Sequence, residues 1–161
     1  MLTLLGLLVC APPDLLAPSI DDLDASLERL ERRVEEARAS DESWARAERA
    51  WLDAGGAEHR CRPVEACARR VVELRAAARE ARWFAQAARA EWLRSRRMTE
   101  FPPLRVLVRG GRARRWGTLT RAVERATRVY VTRLAWHRRF VERWAARHAR
   151  AVAEAECEAA R

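Results

Sequence analysis

Residues 64 to 92 read VEACARRVVELRAAAREARWFAQAARAEW, and their apolar positions decide the fold. Val64, Cys67, Val71, Leu74, Ala78, Ala81, Ala85, Ala88 and Trp92 recur at steps of three and four. That spacing aligns them down one side of a helix of 3.6 residues per turn. Charged residues occupy half of the intervening positions, so the segment has one face to bury. The middle of this face is alanine only, which buries little area but lets a neighbouring helix approach closely. Trp83 and Phe84 lie beside the line rather than on it. Arg62-Pro63 suits a first helical turn, and FPPL at 101 to 104 ends the segment. A helix is therefore expected over about 62–99.

Upstream, Ser19 followed by Asp22 forms a capping-box pattern ahead of Ile20, Leu23, Leu27, Leu30, Val34 and Ala37, again at heptad spacing. Asp41 and Glu48 then fall on expected core sites, while Trp44 and Trp51 keep the register. GGAEHRC from Gly55 closes this helix, expected over about 19–54. A third line runs through Leu119, Val123, Ala126, Tyr130, Leu134, His137, Val141, Trp144, His148, Ala151 and Ala155, giving a helix over about 118–159. Its 126, 130, 134 spacing is a stutter that relaxes a supercoil. Three amphipathic helices of similar length are best buried against one another. The expected fold is all-α, an elongated antiparallel three-helix bundle roughly 55–60 Å long at 1.5 Å rise per residue.

An arginine-rich connection, 101–117, is expected to join the last two helices. Gly110-Gly111 would allow a tight hairpin turn, but RARRW alternates poorly as its second arm, so a structured, exposed connection is the preferred form.

The chain has 161 residues and a formal charge of +9, with no Lys, so arginine supplies all the fixed positive charge. The charge is uneven. Residues 1 to 54 hold 12 acids and 6 arginines, whereas residues 101 to 150 hold 14 arginines against Glu124 and Glu142. Such asymmetry implies either internal pairing between the two segments or an anionic partner for the later one.

Residues 2–11, LTLLGLLVCA, are an uncharged apolar run of the length of a secretory signal core. They are too short to span a bilayer, which takes about 20 apolar residues. Residues 1–17 are thus expected to be a signal peptide or apolar N-terminal segment, and 18–161 one helical-bundle domain. Export to a periplasmic or extracellular space follows, with a cytoplasmic chain as the alternative. Cys10, Cys61, Cys67 and Cys157 match no zinc-module spacing, and no metal or cofactor is expected. The up-down-up topology brings Cys157 level with Cys61, making Cys61–Cys157 the first disulfide candidate and Cys61–Cys67 the second.

Within AWHRRFVERW, residues 135 to 144, helical projection separates the interleaved residues. Trp144 joins the core line, the arginines form a solvated face, and Trp136 lands at the edge of that face, where burial is not expected. Trp136 with Arg139, Arg143, Arg109, Arg112, Arg114 and Arg115 makes the candidate interaction surface. No G-x-S-x-G, H-E-x-x-H or phosphate-binding glycine loop is present, so no enzyme activity and no small-molecule substrate are expected. The sequence instead points to helix-mediated association with a protein partner or a second copy. Self-association is suggested by the Asp41 and Glu48 breaches and the off-core tryptophans. Binding of nucleic acid or another anionic polymer through residues 105–150 is the alternative.

Overall fold

The computed structural model describes residues 17–56 and 64–160, and the segment 1–16, Cys61 and the expected start of the second helix lie outside them. The fold is all-α, and no strand occurs among the described residues. Helix α1 spans Ile20–Asp53, α2 Val64–Glu100, the short α3 Pro102–Arg105 and α4 Gly111–His137. A π-helical turn, Arg138–Glu142, links α4 directly to α5, Arg143–Ala159, so the three form one continuous rod. Helix α1 packs along α2, and α4 lies against both.

Helix α1 begins as its sequence requires. The Ser19 hydroxyl accepts from Asp22 N at 3.1 Å, while the Asp22 carboxylate accepts from Ser19 N at 2.8 Å. Those bonds satisfy otherwise orphaned donors. The Asp22 carboxyl is held below its usual range first by the Ser19 hydroxyl, which donates to it at 2.7 Å, and then by Ser19 N. The helix ends in a glycine-dependent reversal. Gly55, at φ 83°, donates to Leu52 O at 2.8 Å, and Gly56 donates to Trp51 O at 3.1 Å, the paired pattern of a Schellman cap. Gly56 lies flat on the Trp51 indole, where a Cβ would sit 2.1 Å from the ring.

Two apolar clusters hold the bundle. Leu23, Leu27 and Leu30 of α1 meet Leu104, Leu119 and Val123 at one end. At the other end Trp44 and Trp51 meet Cys67, Val71, Leu74, Ala77, Ala81, Val141 and Trp144. Each fully buried leucine contributes roughly 1.5–3 kcal/mol relative to exposure. The α1–α2 seam also carries buried small residues, Ser26, Ala37, Ser40, Ala88 and Ser95. Glu91 is buried on this seam and fully answered: it accepts from Ser26 Oγ at 3.0 Å, Arg29 Nε at 3.1 Å and an Arg94 nitrogen at 3.1 Å.

Three expectations change. The expected 101–117 connection is largely helical: α3 takes Pro102–Arg105, and residues 111–117 are the first turns of α4. Gly110 turns the chain at φ 57°, after which the long side chains of Arg112, Arg115 and Trp116 find partners on α1 and α2. Those contacts outweigh the helix cost of Gly111 and Gly117, about 1 kcal/mol each against alanine. The α2 core line also differs, because Ala77, Glu91 and Ser95 are buried while Val64 is exposed. Finally, the discontinuity in the third rod lies at Arg138–Glu142, just over two turns after the stutter at Tyr130.

Candidate functional site: arginines, paired and unpaired

Two of the six arginines of the candidate surface, Arg112 and Arg115, face α1 instead of solvent, and Arg133 joins them. Arg112 grips the Asp24 carboxylate through two nitrogens, at 2.9 and 2.8 Å. This forked geometry is the strong form of a charge-assisted hydrogen bond. It lowers the Asp24 pKa and raises that of Arg112, each chiefly through that hydrogen bond. Arg115 pairs with Glu31 at 2.5 Å. Arg133 forks between Asp41 and Glu48, at 2.7 Å to each, with all three side chains at most one-third exposed. The acids that breach the α1 heptad are therefore counter-charges for α4. Arg109 and Arg114 stay exposed, with no ion pair among the described residues.

Trp136 is half-buried. Its ring meets Trp51 edge-on at 5.8 Å between centroids and tilts against Phe140 at 5.4 Å. The end of α1 covers it. The off-core Trp116 is likewise engaged, stacked parallel on Trp92 at 6.2 Å, while Trp92 Nε1 donates to Thr120 Oγ1 at 3.1 Å.

Beside Trp51, a groove of about 460 Å³ opens between the α1 terminus and the α5 rod. Trp51, Gly56 and Phe140 form its apolar part, and Arg139, Arg143, Arg147 and Arg150 line the other side. Arg139 also lies over the Phe140 ring at 5.5 Å, a cation–π arrangement. Of the expected surface, the structure thus brings together Trp136, Arg139 and Arg143, and places Arg112 and Arg115 in internal pairs away from them.

The π turn holds a second polar constellation. His137 is 4% exposed, with its ring edge-on to Trp44 at 6.0 Å. Its Nδ1 lies 3.6 Å from Glu142 Oε1, and Nε2 has no hydrogen-bond partner. Burial lowers the His137 pKa, only partly opposed by Glu142. Glu142 is held below its usual range mainly by hydrogen bonds from Arg75, at 2.6 and 3.1 Å. Arg75 belongs to a set on α2, with Arg79 and Arg82, that was not among the expected site residues. Their i, i+4, i+7 spacing was visible beside the α2 core line, but which helix they face depends on the packing.

Cys157 is exposed on α5 with a free thiol, so the expected Cys61–Cys157 disulfide does not form. The α5 rod carries Cys157 past the packed end of the bundle, since residues 151–160 are all exposed. Cys67 is buried, with Sγ 3.5 Å from Ala54 O. Among the described residues no helix is long and apolar enough to cross a membrane, and no three His, Cys, Asp or Glu residues are placed to hold a metal ion.

The chain matches no protein-family model, no curated protein and no solved structure.

Proposed function

We propose that this is a non-enzymatic, exported helical-bundle protein that acts by helix-mediated association with another protein through the projecting end of α5. One observation carries the proposal: residues 151–160 are helical almost to the end, yet every one of them is exposed. Ala151, Val152, Ala155 and Ala159 continue the face on which Trp144 is buried, so the core stripe runs on with no covering helix among the described residues. Most helical stability comes from packing of an amphipathic face, and a partner helix laid on the stripe would supply it here. A different protein is the better partner than a second copy, because Arg133 pairs with Asp41 and Glu48 and Trp51 covers Trp136. Export rests on the apolar run at 2–11. In an oxidising compartment the pairing left for Cys67 is with Cys61.

The test is site-specific photo-crosslinking in the native host. A crosslinker at Val152 is expected to capture a different protein, whereas one at Val72, exposed on α2, is not. Capture at neither position, or only of a second copy, would count against the proposal. Mapping under non-reducing conditions checks the cysteines, with free thiols at both Cys61 and Cys67 opposing export.

A second reading, binding of an anionic polymer, is favoured by the arginine and aromatic lining of the groove at Trp51 and Phe140. Such binding would weaken steeply with salt, log K falling by about 0.9 per neutralised phosphate of duplex DNA. Heparin retention should then drop on charge reversal at Arg139 and Arg143.

A further inference from the structure

The seam between α2 and the α4–π rod is open where it passes the π turn. A cavity of about 600 Å³ lies there, walled by Arg75, Arg79 and Arg82 of α2, Tyr130 of α4, the buried His137, and Arg138 of the π turn. Glu142 is the one acid on its wall, and both of its oxygens are engaged by Arg75. The charge of Arg75 is thus answered within the fold. No ion pair among the described residues includes Arg79, Arg82 or Arg138.

Three guanidinium groups converge on one partly enclosed space without a counter-charge. Like charges gathered on one concave wall raise the local positive potential. A bound anion would offset it. Guanidinium forks match the spacing of phosphate oxygens, while Gln86 and the Tyr130 hydroxyl add neutral donors on the same wall. His137 lies on the same wall, 4% exposed and with its Nε2 buried without a hydrogen-bond partner, so its ring reports on what enters the cleft. A π turn inserted in a long helix is also a frequent mark of a functional position, and this one supplies Arg138 and Glu142 to the wall.

We propose that this cleft binds a compact, multiply charged phosphate anion of the polyphosphate class, held by Arg79, Arg82 and Arg138 with Tyr130 and Gln86 as neutral donors. The site is independent of the association assigned to α5.

Calorimetric titration of the full chain with tripolyphosphate at an ionic strength of about 0.15 M, where the screening length is about 8 Å, tests it. Saturable binding at one site is expected. Arg79→Gln with Arg82→Gln should weaken it by about tenfold or more, the scale of a lost charge-assisted contact. Arg139→Gln with Arg143→Gln removes the same charge from the α5 groove and should change affinity by less than about twofold. All four side chains are exposed, and circular dichroism verifies that both variants fold. Tripolyphosphate should also move the His137 ring resonances. Absence of binding, equal losses in the two variants, or binding of oligothymidylate but not tripolyphosphate would each overturn the proposal.

Discussion

Arg133 of α4 reaches Glu48 of α1 at 2.7 Å, with no more than a quarter of either side chain exposed. The same guanidinium holds Asp41 at 2.7 Å, so one cation is shared by two acids on the interhelical seam. Replacing Arg133 by Met should cost about 2–4 kcal/mol, since it leaves carboxylates partly buried without a partner. Adding Asp41→Leu and Glu48→Leu to that variant should recover most of the loss. Urea unfolding of the single and triple variants checks this, and a loss below about 0.5 kcal/mol would mark the cluster as an ordinary surface pair.

Gly56 provides a steric test at the far end of α1. Its Cβ position is occupied by the Trp51 ring, which is itself fully buried. Gly56→Ala should destabilise by about 1–3 kcal/mol, the usual cost of overpacking. Gly111→Ala, where a Cβ meets nothing within 4 Å, should be neutral or slightly stabilising. Equal effects at the two glycines would refute the close approach to Trp51.

The pH dependence follows from His137, whose pKa in the folded state is lowered chiefly by burial. The unfolded chain therefore takes up a proton before the folded one does. Stability is complete above the unfolded imidazole value of about 6.5 and falls as pH drops below it. The carboxyls of Asp22, Asp24 and Glu142 are shifted downward, so their contribution is lost only at more acidic pH. Thermal melts should show a decline between about pH 6.5 and 5 that His137→Phe flattens. An unchanged slope in that variant would assign the decline to another group.

Charge reversal separates paired from unpaired arginines. Arg112→Glu with Arg115→Glu breaks the contacts to Asp24 and Glu31 and should lower the melting temperature. Arg109→Glu with Arg114→Glu, which breaks no ion pair among the described residues, should leave it nearly unchanged. The same melts at high salt should narrow the difference, because exposed pairs are screened.

Helix identity was legible because it is local. The capping box at Ser19 and the glycine pair at 55–56 bound α1 to Ile20–Asp53, within a residue of the expected 19–54. The start of α4 was hidden because Gly110, Gly111 and Gly117 read as breaks. Their helical cost is offset by Arg112, Arg115 and Trp116 reaching α1 and α2, which local pattern does not reveal. The candidate surface was legible only in part: the arginines were visible, but their pairing was not.

The sequence by itself determined three amphipathic helices, their order and the charge asymmetry between α1 and the α4–α5 rod, because periodicity, caps and charge are properties of neighbouring residues. Tertiary structure decided which charges are spent inside the fold. Arg133 meets Asp41 and Glu48, and Trp136 meets Trp51, only because α1 and α4 pack side by side. It also decided the phase of the third rod, since the π turn at Arg138–Glu142 breaks the constant angle per residue on which any projection depends. That turn is what sets Arg138 opposite Arg79 and Arg82, a convergence of residues distant in sequence that no local pattern encodes.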